Sequence, residues 1–340
     1  MKEYSHCARG LYSRNHKWEV RVEDKPTLIE QIQSNDGIDR RGFLKCMAWA
    51  GTATVCVLQG GVLKSFAADD MAKMKHHKGD FAFVQISDSH IGFNKPANTD
   101  VTATLNHAIA KINALPVQPE FILHTGDLSH LSEPGEFDTL DQALKSVKTG
   151  QVFYVPGEHD VLNDNGVQYR ERYGKNTKGD GWYSFDKNGV HFVGLVNVMN
   201  LKAGGLGSLG HEQLEWFEDD VQHLKASTPV VVFAHIPLWS VYPDWGWGTD
   251  YSEQALGYLK RFGSVTVLNG HIHQVMQKVE GKVSFHTARS TAFPQPEPGK
   301  AAGPGPMKVP AEKLASVLGV TDVDFVRGKH SLAIVDSTLE

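Results

Sequence analysis

Phe81-Ala82-Phe83-Val84-Gln85-Ile86-Ser87-Asp88-Ser89-His90 begins as an apolar run and ends on a carboxylate and an imidazole two residues apart. A short apolar and aromatic run that stops at polar residues reads as a buried strand, here Phe81 to Ile86. The design recurs four times: Phe121 to Leu123 before Gly126-Asp127, Val152 to Val155 before Gly157-Glu158-His159-Asp160, Val230 to Phe233 before Ala234-His235, and Val265 to Leu268 before Gly270-His271-Ile272-His273. Near-continuous apolar runs mark parallel strands covered on both faces. Five of them predict an α/β fold whose polar strings all lie at carboxyl ends of strands, the edge where open α/β sheets gather ligands.

Asp and His are the donors that borderline divalent metals such as zinc, manganese and iron prefer, and no cysteine lies near these strings, so a sulfur-rich site is excluded. Gly126, Gly157 and Gly270 each precede a candidate ligand, and glycine lets a strand exit turn sharply and approach an ion. On extended backbone, the two-residue spacing of Asp88 and His90, and of His271 and His273, puts both side chains of a pair on one side. Each string alone reads as a turn or a chance pair; the five in this order read as a metal centre.

The order resembles the calcineurin-like metallophosphoesterases, whose pattern runs Asp-x-His, Gly-Asp, Gly-Asn-His-Asp/Glu, His, Gly-His-x-His. The resemblance covers about Phe81 to His286, and the stretch Leu209-Gly210-His211-Glu212-Gln213-Leu214-Glu215-Trp216-Phe217 looks most like the bacterial cyclic-nucleotide phosphodiesterase branch. It implies two metal ions, of iron, manganese or zinc: Asp88, His90 and His273 on one, Glu158, His235 and His271 on the other, and Asp127 bridging them. It further implies hydrolysis of a small phosphoester by metal-activated water, with His159 protonating the leaving group or stabilising developing charge and Asp160 orienting the His159 ring. Where the family has Asn, this chain has Glu158. Its added negative charge lowers the Lewis acidity of the ions and repels an anionic substrate, so either a more highly charged metal or slower turnover is expected.

Among the remaining histidines, His124 reads as a hydrogen-bonded core residue, and His130 either borders the cavity or, the favoured reading, is an exposed loop residue. His191 and His286 sit in strand-like segments without an assigned role.

Helical patterns fall between the strands: Asp100 to Leu115 after a Thr99 cap, Glu136 to Val147, His211 to Leu224 and Ser252 to Phe262. Trp182 to Phe185 and His191 to Val196 flank Asp186-Lys187-Asn188-Gly189 as a hairpin. Ala311 to Leu318 reads as helix and Ser331 to Ile334 as strand. These elements predict two packed mixed β-sheets with helices outside, the four-layer α/β/β/α sandwich that the resemblance implies.

Two loops stand apart. Trp239 to Trp247 carries three tryptophans and a tyrosine, which either stack a base or sugar or pack on themselves. Pro294 to Pro310 is dense in Pro and Gly and reads as an ordered wrap or a lid, with no role assigned.

Residues 1–67 read as an extension and export leader, and 68–340 as a single domain. Asp39-Arg40-Arg41-Gly42-Phe43-Leu44-Lys45 resembles a twin-arginine (Tat) motif, followed by the weakly apolar Cys46 to Leu63 and the small-x-small pattern Ser65-Phe66-Ala67-Ala68. The apolar stretch is too short and too diluted by Thr, Gln and Gly for a lasting anchor. Passage through the Tat translocase to a periplasmic or extracellular location is the expectation, with Met1 to Ile38 either disordered or upstream of the true start. Cys7, Cys46 and Cys56 all precede the cleavage pattern, so the mature chain holds no disulfide.

With 34 Lys plus Arg against 39 Asp plus Glu, no basic stripe and no aromatic RNA-binding string, a nucleic-acid grip is not expected. The oligomeric state has no signal in the sequence. Beside the two-metal phosphoesterase stand two alternatives: a weakly active or inert periplasmic metal binder on the same fold, and a scaffold docking a partner through the Trp-rich loop.

Overall fold

All five apolar runs form strands, and their packing partners explain the alternation along each. The computed structural model describes residues 80–326 and 332–340, and the backbone of Thr54–Gln59 (β1) and Val62–Ala67 (β2). β1 and β2 pair antiparallel as a hairpin over part of the apolar run of the expected leader. The twin-arginine string and the rest of the leader lie outside the described residues.

Onward from there come β3 (Phe81–Ile86), α1 (Val101–Asn113), β4 (Ile122–His124), α2 (Pro134–Leu144), β5 (Val152–Tyr154), α3 (Val167–Tyr173), β6 (Tyr183–Lys187) and β7 (Val190–Gly194). The second half holds β8 (Gly207–Ser208), α4 (His211–Gln222), β9 (Val230–Phe233), β10 (Thr249–Asp250), α5 (Ser252–Leu259), β11 (Val265–Asn269), β12 (Gln277–Glu280) and β13 (Val283–Thr287). A short α6 (Leu314–Val317), β14 (Gly319–Phe325) and β15 (Ala333–Thr338) complete the chain.

One sheet runs β15-β14-β3-β4-β5 and the other β12-β13-β11-β9-β7-β6. In the first, β3, β4 and β5 are parallel; in the second, β7, β9, β11 and β13 are parallel, and β6, β12, β14 and β15 add antiparallel edges.

Alternate residues of β3 serve different layers. Phe81 and Phe83 enter the cluster between the sheets with Phe121, Phe192, Val231 and Phe233, and the Phe83 and Phe121 rings stack at 5.0 Å. Val84 and Ile86 face the other way, onto Leu105, Ile109 and Ile112 of α1 and Phe137 and Leu140 of α2. In the second sheet, Val230, Val232, Val265 and Val267 meet Leu214, Phe217 and Val221 of α4 and Ala255 and Leu259 of α5. The result is the expected four layers, two mixed sheets flanked by helices. Each fully buried aliphatic or Phe side chain contributes about 1.5–3 kcal/mol, so the inter-sheet cluster alone holds the two sheets face to face.

Local details differ from the sequence reading. α1 is capped by Asp100, not Thr99: the Asp100 carboxylate accepts the Ala103 amide at 2.9 Å. α2 starts at Pro134, two residues early, because proline suits the first helical turn and Glu136 reaches back to the Glu133 amide at 3.2 Å. The hairpin turn is only Asn188-Gly189, both at positive φ, and the strands extend to meet it. β5 is half-buried rather than buried, since it is the edge strand of its sheet. No helix among the described residues is long and apolar enough to cross a membrane.

Candidate metal centre

The carboxyl ends of β3, β4, β5, β9 and β11 meet at one place between the two sheets, and the five loops leaving them bring seven side chains together. Asp88 and His90 follow β3, Asp127 follows β4, Glu158 follows β5, His235 follows β9, and His271 and His273 follow β11. His273 Nε2 lies 3.2 Å from His90 Nε2 and 3.3 Å from Asp88 Oδ1. Glu158 Oε2 lies 3.0 Å from His235 Nε2, and its Oε1 3.0 Å from His271 Nδ1. Asp127 Oδ2 stands between these groups, 3.4 Å from both His90 Nε2 and His235 Nε2. Ligand atoms of Asp88, His90 and His273 lie within 4.8 Å of one another, and so do those of Glu158, His235 and His271.

The backbone delivering these side chains is not extended. Asp88 (φ 54°), His90 (φ 41°), Asp127 (φ 52°), His271 (φ 70°) and His273 (φ 54°) all occupy the left-handed region. The two-residue pairs therefore converge through alternating handedness, not through the period of a strand. Asp and His enter this region more readily than other side chains, but each such residue costs about 1–3 kcal/mol and persists only where the surroundings impose it.

They are imposed by hydrogen bonds between the loops. The Asp88 amide donates to the Gly126 carbonyl at 3.0 Å and the His90 amide to the Asp127 carbonyl at 2.9 Å. The Asp88 carboxylate accepts the His271 amide at 3.1 Å. Gly126, at φ 97°, passes against the His235 ring, and a Cβ on Gly157 would collide with the Asp127 carboxylate. These two glycines permit the close approach of the β4 and β5 loops to each other and to the His235 ring.

Ring orientation is fixed from behind. His235 Nδ1 donates to the Thr125 carbonyl and His273 Nδ1 to the Phe293 carbonyl, each at 2.6 Å, which turns both Nε2 lone pairs into the centre. Phe293 also stacks on the His90 ring at 4.7 Å.

His235 Nε2, Glu158 Oε2 and both ring nitrogens of His271 are buried without a hydrogen bond. Three carboxylates and imidazole nitrogens that meet them as ion-pair contacts without hydrogen-bond geometry converge on one buried volume and form a donor set that fits cations. Electrostatics agree. Burial pushes the Asp88 and Glu158 carboxyls up, but the neighbouring histidines, His273 and His235 for Asp88 and His271 and His235 for Glu158, hold both below their ordinary range. Burial, with His159, His273 and His130 nearby, pushes the His90 imidazole well below its usual value, leaving it neutral. His235 is pushed down by burial yet held well above its usual value by Asp127 and Glu158, as expected where carboxylates call for a positive partner.

His159 and Asp160 stand differently from the sequence expectation. His159 borders the centre, and ligand atoms of Asp127, Glu158 and His159 lie within 4.8 Å of one another. Burial lowers its proton affinity, but Asp127 and Glu158 override this and raise its pKa. Asp160 does not orient the His159 ring, whose Nδ1 donates instead to the His130 carbonyl at 2.7 Å. The fully buried Asp160 carboxylate accepts the amides of Leu128 (3.0 Å), Ser129 (2.8 Å) and Gly157 (2.9 Å), and the Ser129 hydroxyl. It ties the Asp127 loop to the Glu158 loop, because backbone amides present closer donors than the imidazole does.

Of the two readings of His130 the structure favours the cavity border over the exposed loop: it is half-buried and stacks on His159 at 4.8 Å, 17° between planes. The stack itself forms between two loops and has no pattern in either. His124 is a core residue, its Nε2 2.9 Å from the Ser89 hydroxyl, with burial lowering its pKa to about 3. His191 lies between Asp186 and Asp220, and His286 bonds Asp336; neither joins the cluster.

The tryptophan loop packs on itself. Trp245 and Trp247 are buried and enclose Ile272, the residue between His271 and His273. Of the four rings in this loop only Trp239 and Tyr242 are half-buried rather than buried. The Pro/Gly-rich loop is an ordered wrap: its Gln295 side chain donates to the His271 carbonyl at 3.1 Å, and the Met307 amide to the Pro294 carbonyl at 2.8 Å. The Leu209 to Phe217 stretch belongs to the outer helical layer, where Leu214 and Phe217 pack on the second sheet.

A family model for calcineurin-like phosphoesterases matches residues 81–275. The serine/threonine-protein phosphatase CPPED1 of Danio rerio is 27% identical over 234 residues, covering 59% of this chain and 73% of that protein. A probable glycerophosphodiester phosphodiesterase, GpdQ, of Arcobacter nitrofigilis is 23% identical over 223 residues, covering 61% of this chain and 77% of its own. Among solved structures, a dimetal phosphatase from Danio rerio superposes with a TM-score of 0.52 at 16% identity, covering 75% of this chain and 98% of that one; this last likeness is one of fold.

Proposed function

Since the chain belongs to the calcineurin-like phosphoesterase family and is a metal-dependent phosphoester hydrolase, we propose that hydrolysis takes place at two metal ions, one held by Asp88, His90 and His273, the other by Glu158, His235 and His271, with Asp127 shared. The observation that carries this is the position of Asp127 Oδ2, 3.4 Å from a histidine of each group. A pair of bound ions supplies Lewis acidity to water and neutralises charge on phosphoryl oxygens. The protein's own contribution is placement. Asp160 fixes the Asp127 and Glu158 loops to each other, and Thr125 and Phe293 set the tautomers of His235 and His273.

His159 is the residue that handles a proton. Its Nδ1 is committed to the His130 carbonyl, so Nε2 remains to donate to the leaving oxygen, and Asp127 and Glu158 raise its proton affinity against the burial that lowers it. Both a phosphatase and a phosphodiesterase stand among the relatives, so phosphomonoesters and phosphodiesters are both substrate classes to be assayed. Glu158 adds a charge where the family pattern has Asn, which favours a more highly charged ion in the second position or a slower turnover.

Purified protein supplied with manganese is expected to hydrolyse bis(p-nitrophenyl) phosphate or p-nitrophenyl phosphate, and Asp127→Asn to lower the rate by about a thousandfold or more. Metal analysis of the same samples completes the test: a metal-loaded wild type that is inert on both esters would leave only the metal-binding reading. The scaffold reading is left with the half-buried Trp239 and Tyr242, since Trp245 and Trp247 are buried.

The leader is taken as a Tat signal delivering the protein to the periplasm or beyond. Replacing Arg40 and Arg41 together by lysine should retain the protein with its leader uncleaved; unchanged processing and export would refute that.

A further inference from the structure

We propose that His130 is a substrate-contacting residue that, beside His159, seats a free phosphoryl oxygen and biases the site toward phosphomonoesters; this rests on the phosphoesterase reading above. The His130 ring lies face to face with His159 at 4.8 Å and edge-on to His90 at 5.6 Å. Its own Nδ1 is buried without a hydrogen bond, although the ring as a whole is only half-buried. Ligand atoms of His90, His130 and His159 lie within 4.8 Å of one another, and His159 is in turn within that distance of Asp127 and Glu158. An oxygen lodged beside His159 therefore has His130 as its next donor.

The loop is held to keep that ring in place. The His130 amide donates to the Ile91 carbonyl at 2.9 Å and to Glu136 Oε2 at 3.2 Å, and the same carboxylate oxygen accepts the Leu131 amide at 2.8 Å. Phe93 buttresses the outer side, its ring edge-on to His130 at 5.1 Å, with the Lys95 ammonium 5.9 Å above the Phe93 ring.

Three imidazoles close together could instead take a third cation. Charge decides against it. His90 belongs to one of the two metal groups, His130 and His159 bring no carboxylate of their own, and Lys95 adds a positive charge on the outer side. A third cation beside two others would be repelled, whereas an anion gains. A monoester presents three free oxygens where a diester presents two. A site with a donor waiting for the third loses more with the ester that lacks it, because its polar group is left unpaired.

The test uses the full chain loaded with manganese, as wild type, His130→Ala and His130→Asn. It compares kcat/KM for p-nitrophenyl phosphate and bis(p-nitrophenyl) phosphate, the Kd of inorganic phosphate by calorimetry, and bound metal. For His130→Ala the monoester-to-diester ratio should fall about tenfold, mainly through the monoester KM, and phosphate Kd should rise by a similar factor, with metal content unchanged. His130→Asn, which keeps a donor, should recover part of both and serves if the alanine variant does not fold. An unchanged ratio with unchanged phosphate Kd overturns the proposal, as does loss of a third metal equivalent. Phosphate binding needs no turnover, so an inert wild type whose phosphate affinity still depends on His130 sinks the hydrolytic reading and not the subsite.

Discussion

Two loops of this protein solve the same geometric problem with opposite chemistry. Asp88-Ser89-His90 and His271-Ile272-His273 both place left-handed residues on either side of a central one, and in both the outer side chains reach the metal centre. In the first, the central residue is polar: the Ser89 hydroxyl lies 2.9 Å from His124 Nε2 and 3.1 Å from the Thr291 hydroxyl. In the second it is apolar: Ile272 is sealed between Trp245 and Trp247. The loops also differ in what they serve. Asp88 and His90 belong to one proposed ion, whereas His271 and His273 belong to different ones. A strained turn can be over-determined at its central residue by a directional bond or by shape, and the turn whose histidines are assigned to both proposed ions has its centre held by shape, while Asp88 and Gln295 bond the His271 amide and carbonyl.

The larger effect is expected at Ile272. Ile272→Ala opens a cavity beneath two rings that belong to a loop already packed on itself, and should cost about 2–5 kcal/mol of stability. Relieved of its anchor, the turn lets His271 and His273 relax toward ordinary backbone angles. Metal affinity should drop by about 10–100-fold at both ions together, read as the loss of two equivalents to a chelator titration. Loss of only one equivalent would show that the two histidines are positioned separately, and would break the comparison at its root.

How far such features can be read from a chain follows from their range. The five strands and their polar ends are readable because each is a contiguous apolar run closed by Asp, His or Gly, and four of the five, all but the edge strand β5, are buried on both faces. β14 escapes the contiguous-run criterion, because Asp322 and Asp324 alternate with Val323 and Phe325, and it pairs antiparallel with β3 from more than 200 positions away. The convergence of Asp88 with His90 was anticipated on the assumption of extended backbone and occurs through left-handed residues instead. The role of Asp160 was misassigned because three amides from neighbouring turns compete for its oxygens, and their proximity exists only after folding. Ile272 illustrates the same limit. Nothing in its own string marks it as an anchor; the tryptophans that enclose it come from a different loop.

Ser89 is the milder and more diagnostic of the two sites. Ser89→Ala removes the hydrogen-bond partner of His124 Nε2 in a fully buried setting where burial keeps that imidazole neutral. The expected cost is about 1–3 kcal/mol, most of it the penalty of a buried nitrogen left unpaired. If that is the origin, pairing it with His124→Phe should cost less than the sum of the two single changes, because both ends of the bond are then apolar. The metal readout separates this loop from its counterpart: one equivalent should loosen, the ion assigned to Asp88, His90 and His273, while the ion on Glu158, His235 and His271 keeps its affinity. A directional anchor acts on the one turn it bonds. Equal loosening of both ions in Ser89→Ala would mean that the Asp88 carboxylate, which accepts the His271 amide at 3.1 Å, transmits the disturbance across the centre, making the two loops one mechanical unit.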